Sequence, residues 1–115
     1  MAVYRVAVAA RVDIADVLRY SEAKFGPAAR RRYTLLINAA FQSIAEQPER
    51  IGSYARDEIA PGLRSLHLRY CRGHSAQDQI GRPRHIVFYR IRADRVIEIV
   101  RLLHEAMELD RYFPD

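Results

Sequence analysis

The 115-residue chain contains one cysteine, Cys71, and one lysine, Lys24, so every other basic side chain is an arginine. A single thiol excludes an intramolecular disulfide and fits a reducing compartment. No apolar run approaches the roughly 20 residues that a membrane span requires. Residues Met1 to Tyr4 enter a strand-like pattern at once, without a basic leader, so a cytosolic protein with no membrane partner is expected. The sequence has no glycine-rich phosphate loop and no Gly-x-Ser-x-Gly nucleophile turn. Cys71-x-x-His74 is only a fragment of a metal pattern, because no second pair follows at useful spacing; neither a metal nor another cofactor is expected. Repeats, low-complexity tracts and dividing linkers are absent too, which leaves one domain over residues 1–115.

What the chain does have is positive charge, unevenly placed. Nineteen basic residues against fourteen acidic ones give a net charge of +5. Nine arginines fall between Arg64 and Arg101 against Asp78, Asp94 and Glu98, while the segment from Leu102 to Asp115 carries four acids and only Arg111. The planar guanidinium pairs with carboxylate or phosphate in a bidentate fork, so this stretch predicts an acidic partner, either nucleic acid or an acidic protein segment.

Two runs rich in β-branched and aromatic residues, Arg84 to Arg92 and Arg95 to Glu108, flank Ala93-Asp94 and read as adjacent antiparallel strands joined by a tight turn. In the first, Ile86 and Phe88 alternate with Val87, Tyr89 and Ile91. In the second, Ile97, Ile99 and Leu103 alternate with Val96, Val100 and Leu102. Two apolar faces imply strands covered on both sides, either by the chain itself or by a partner. The acidic tail from Glu105 looks too short to hide a whole face, so a partner is the expected cover.

Upstream, Val3 to Val8 reads as a short strand. From Asp13, apolar residues Ile14, Val17, Leu18 and Phe25 recur at helical spacing until Gly26, with Asp13 and Asp16 placed as N-terminal acids. Pro27 suits the first turn of a second helix, whose stripe runs through Tyr33, Leu36, Ile37, Ala40, Phe41 and Ile44 to Pro48. Glu49 to Gly62 lacks a period and reads as a loop. Leu63 to Tyr70 alternates like a half-buried strand with its leucines toward the helices. Cys71 to Pro83 is polar and long, either a mobile loop or a specificity element. The expected fold is α+β: an N-terminal strand, an antiparallel helical hairpin on an antiparallel sheet of about four strands in the order β-α-α-β-β-β, and a short tail.

Several stretches carry a family resemblance. Gly62-Leu-Arg64, the run R-H-I-V-F-Y-R at 84–90, and I-V-R-L-L-H-E-A-M-E at 99–108 resemble the ParE/RelE toxin superfamily, and more closely its ParE-type plasmid-stabilisation branch. The hairpin segments D-I-A-D-V-L-R-Y, F-G, A-A-R-R-R-Y and I-A-E-Q-P are similar in spacing. Departures are the insertion from Cys71 to Pro83 and Glu108 where the family often has aspartate. The resemblance implies the toxin of a type II toxin–antitoxin module, held in a hetero-oligomer by a cognate, ParD-like antitoxin. ParE-type toxins act on DNA gyrase, whereas RelE-type relatives cut messenger RNA on the ribosome; a non-toxic basic domain of the same fold is a third alternative.

Chemistry separates the first two alternatives. Cleavage through a 2′-hydroxyl needs a base, an acid and a positive group for the developing charge. Arg64, His67, Tyr89, Arg90, Arg101 and His104 are the available set, and arginine accepts no proton at neutral pH, which leaves His67, His85 and His104 as bases. No convincing pair emerges, and a binding mode of action is expected. Arg64, Arg90, Arg92 and Arg101 are the expected contacts for antitoxin or target; Arg64, Arg90, Arg101 and His104 would carry catalysis in a ribonuclease.

Overall fold

A computed structural model describes residues 3–72 and 83–113. Strand β1 (Tyr4–Val6) leads into helices α1 (Val8–Phe25) and α2 (Pro27–Glu46), followed by β2 (Ser53–Ala55), β3 (Leu63–His67), β4 (His85–Ile91) and β5 (Ile97–His104). One 3₁₀ turn, Leu68–Cys71, follows β3, and another, Leu109–Arg111, follows β5. The sheet order is β1-β5-β4-β3-β2, antiparallel throughout except for β1, which runs parallel to β5. The α+β class and the hairpin-on-sheet plan are as expected. Among the described residues the sheet has five strands and is mixed, because the segment read as a loop contributes β2 at one edge and β1 joins the other edge parallel to β5.

Gly26 is the whole connection between the helices. Its φ of +93° turns the chain, its N–H donates to the Glu22 carbonyl to close α1, and its carbonyl accepts from Arg30 to open α2. A residue with a Cβ is strained at that φ. Along α2 the stripe Ala29, Tyr33, Leu36, Ile37, Ala40, Phe41, Ile44 and Ala45 is buried against the sheet, while α1 buries only Ala10. Thus α2 is the core helix and α1 skirts the sheet's edge. Helix α1 begins at Val8, with no acid in its first turn, so Asp13 does not serve the helix N-terminus.

The helix-side core joins that stripe to Leu66, Leu68, Val87, Tyr89, Ile97, Ile99 and Leu102. A register shift at Phe88/Tyr89 marks a bulge in β5. The extra residue breaks strict alternation, so Leu102, not Leu103, shares the helix side with Ile97 and Ile99. On the opposite side Leu63, Phe88 and Leu103 form a second core, packed by Ile59, Ala60, Ile86, Val100, Leu109, Tyr112 and Phe113. Phe88 is 0% exposed and packs against Phe113, with ring centroids 5.1 Å apart and the planes tilted by 58°. The expectation of a wet second face is therefore corrected: three apolar side chains within five residues let a short tail seal it. Most of the Cys71 to Pro83 insertion, including His74, lies outside the described residues.

Candidate functional site

Parallel pairing of β1 with β5 stops at Val6 and Ile99, leaving the later part of β5 with an open edge. Helix α1 fills that gap with Asp13. Its Oδ2 accepts the Leu102 N–H at 3.0 Å, and its two oxygens accept from Arg101 Nε and Nη2 at 2.8 Å each. Arg101 also lies 5.0 Å from the Tyr112 ring, so one guanidinium ties helix, strand and tail together. Hydrogen bonding to Asp13 raises its pKa further above the usual arginine value and keeps it charged. Arg101 is thereby committed to the fold.

Arg64 is also engaged internally. Its Nε–H donates to Ser53 Oγ at 2.9 Å, beside the Tyr89 hydroxyl, which donates to the Pro48 carbonyl and contacts Ser53 Oγ. Tyr89 thus anchors the loop that follows α2. Arg90 and Arg92 sit near the turn end of β4, in a different place. Arg90 is half-buried opposite Glu98 and Leu63 in register, and Arg92 makes an exposed ion pair with Asp94 at 3.4 Å. The four arginines singled out from sequence do not converge on one point.

Three of the four histidines collect at the other end of the sheet. His85 and His104 are paired in register under α2, with rings 5.3 Å apart, while His67 lies next to Ile86 in the adjoining pair. His67 Nδ1 accepts the Arg69 N–H at 3.1 Å, and its Nε2 meets Glu105 Oε2 at 2.7 Å. His104 Nδ1 accepts the Ala106 N–H at 3.0 Å. His85 Nδ1 lies 2.6 Å from the Tyr33 hydroxyl, whose oxygen accepts the Arg84 N–H at 3.4 Å and whose proton is therefore directed at His85. All three rings use Nδ1 as an acceptor, so each neutral imidazole carries its proton on Nε2.

That arrangement has a chemical consequence. A general base must turn a lone pair toward its substrate, and each imidazole lone pair here is already taken by the chain. Burial, reinforced by neighbouring His104, pushes the His85 pKa down to about 4, so it is neutral at pH 7. Burial likewise raises Tyr33 to about 12. Glu105, hydrogen-bonded to His67 and next to Arg84, is held below the usual carboxylate range. Among the described residues no group of three or more histidine, cysteine, aspartate or glutamate side chains is arranged to hold a metal. Cys71 is packed beside Arg50 and its thiol is pushed up by burial, which disfavours the reactive thiolate.

Sequence reasoning missed Asp13, whose partner is 88 residues away, and the tyrosine pair Tyr54 and Tyr70 beside β2. Tyr54 is 59% exposed. The Tyr70 ring packs so closely on Gly52 that a Cβ there would sit 2.6 Å from it. Arg69 lies over Tyr70 at 5.0 Å and donates to its hydroxyl at 3.1 Å. The hydrogen bond from Arg69 lowers the Tyr70 pKa.

Fold and charge define a small basic α+β domain, its helical hairpin laid on one side of a mixed sheet. Over residues 4–109 the sequence matches the family described as ParE toxin of type II toxin-antitoxin system, parDE, and the chain belongs to that family. It is 32% identical over 104 residues to Toxin ParE1 of Caulobacter vibrioides, covering 90% of each chain. It is 29% identical over 108 residues to Toxin ParE1 of Mycobacterium tuberculosis, covering 94% of each. As a ParE toxin it has an antitoxin as its partner. No helix among the described residues is long and apolar enough to cross a membrane.

Proposed function

We propose that this toxin inhibits DNA gyrase by binding, without cleaving RNA, and is neutralised by a ParD-like antitoxin. The observation that carries the binding mode is the committed Nδ1 of His67, His85 and His104, which leaves no imidazole lone pair for a base among the described residues. Gyrase as the target rests on membership of the ParE family. Purified toxin should block supercoiling or trap cleaved DNA on gyrase, and it should leave ribosome-bound messenger intact. Codon-specific cuts in an A-site assay, abolished by His104→Ala, would overturn the reading.

The antitoxin's place follows from what the tail leaves open. With Leu63, Phe88 and Leu103 already covered, the helix side still offers accessible apolar surface. There a crevice of about 180 Å³ is lined by Tyr4, Val6, Ile14, Leu18, Ile37 and Phe41, and Val8 and Val12 stand exposed one turn apart on α1. An antitoxin segment with apolar side chains toward this crevice and acids toward Arg90 or Arg92 would combine both kinds of contact. Arg64 and Arg101, held by Ser53 and Asp13, contribute less. Charge reversal at Arg90 or Arg92 should weaken antitoxin binding at low salt and have a smaller effect at high salt.

A further inference from the structure

Besides its apolar crevice, the surface carries a second feature that antitoxin capture does not use: the exposed Tyr54, Arg69 and Arg84, set beside the half-buried Tyr70 near β2. The Arg69 guanidinium lies 5.0 Å over the Tyr70 ring and donates to its hydroxyl at 3.1 Å, and its charge acts on Tyr54 and on Glu105. The line continues through His67, which accepts the Arg69 N–H, to Glu105 and on to Arg84, whose Nη1 lies 3.3 Å from Glu105 Oε1. Aromatic planes thus stand at one end of the strip and cations along it. A duplex offers such planes nothing, because its bases are stacked on each other; unpaired bases can stack on Tyr54 and on the guanidinium plane of Arg69. Phosphates would then fall toward Arg69 and Arg84. An acidic peptide would use the cations but not the exposed ring of Tyr54, which is why nucleic acid fits better.

We infer that the strip from Tyr54 through Tyr70, Arg69 and His67 to Arg84 binds single-stranded nucleic acid, stacking bases on Tyr54 and Arg69 and holding phosphates with Arg69 and Arg84. Binding here is without cleavage, since His67 offers neither nitrogen as a base: Nδ1 accepts from the backbone and Nε2 is paired with Glu105. Glu105 occupies donors that a phosphate could use, so it tempers affinity. The inference stands independently of gyrase as the target.

Fluorescence anisotropy with a labelled unstructured single strand and a matched duplex, at two salt concentrations, tests it on the full chain. The wild type should prefer the single strand. Tyr54→Ala should weaken that binding roughly tenfold, as expected for loss of one stacked base, and Tyr54→Phe should retain it. Arg84→Gln should lower the salt slope by about 0.7, the share of one phosphate contact. Glu105→Gln should tighten binding. Equal affinity for duplex and single strand, indifference to Tyr54→Ala, or binding of polyglutamate alone would each overturn the inference, the last pointing to an acidic protein partner instead. Tyr54 is largely exposed, so its variants should fold, and unchanged thermal melts would confirm that any loss is local.

Discussion

On its helix side the sheet meets α2, which contributes eight buried residues along five turns; on the other side it meets one turn of loop and the chain's last few side chains. Yet burial is equally complete beneath both, with Tyr89 and Phe88 each fully enclosed on neighbouring positions of β4. The difference lies in how much structure supports the burial. A long helix distributes its contacts over many residues. The tail concentrates them in Leu109, Tyr112 and Phe113, and it depends on Arg101 being fixed from the far side by Asp13.

If the second core is as real as the first, truncating it should cost as much. Phe88→Ala and Phe41→Ala should each destabilise by about 3–5 kcal/mol in urea or guanidinium denaturation. A loss under about 1 kcal/mol for Phe88→Ala would mean that the tail merely rests on the sheet. The next effect sharpens the contrast by pH, because His85 lies on the helix side only. Its folded pKa near 4 is below the unfolded value of 6.5, so between those values the unfolded chain binds more protons. Stability from this group is complete above pH 6.5 and falls as the pH drops toward 4, by up to roughly 3 kcal/mol. His85→Gln should flatten that slope in denaturation measured across pH 4 to 7, and an unchanged slope would exclude His85 as its source. The smallest effect joins the two faces. Asp13→Ala removes charge-assisted bonds to Arg101 and the cap on Leu102, at about 1.5–3 kcal/mol, and should also loosen the tail. Limited proteolysis around Arg111 should accelerate in this variant; protection equal to wild type would show that the tail needs no help from α1.

The sequence made the larger periodicities legible. The stripe of α2, the Gly26-Pro27 junction and the alternation along β4 each follow from local spacing, and each is where it was expected. Less legible were features set by long-range pairing. β2 is three residues long and exists only because Ser53, Tyr54 and Ala55 find β3, so no pattern announces it. The bulge in β5 moves Leu102 to the helix side although the string of apolar residues reads as uninterrupted alternation. At the candidate site, the arginine count was visible but not which arginines were spoken for. Arg101 and Arg64 look like Arg90 and Arg92 in sequence, and only Asp13 and Ser53 distinguish them. Likewise the three histidines were visible as possible bases, while their Nδ1 bonds come from Arg69, Ala106 and Tyr33.

The parallel ladder between β1 and β5 bears on when the toxin becomes a toxin. Among the described residues β1 has no other neighbour in the sheet, and its partner comes after all the other strands in the chain. As the chain leaves the ribosome, Tyr4 to Val6 must wait for Ile97 to Ile99, with both helices and three strands already extruded between them. Closing so long a loop carries an entropic cost that only the final contacts repay. Asp13 waits for Arg101 in the same way. A nascent chain halted before β5 therefore lacks the edge strand, the interface of α1 with the sheet and the sealed second core all at once. Synthesis itself imposes a delay, and an antitoxin already present has that interval in which to meet a hairpin not yet locked to its sheet.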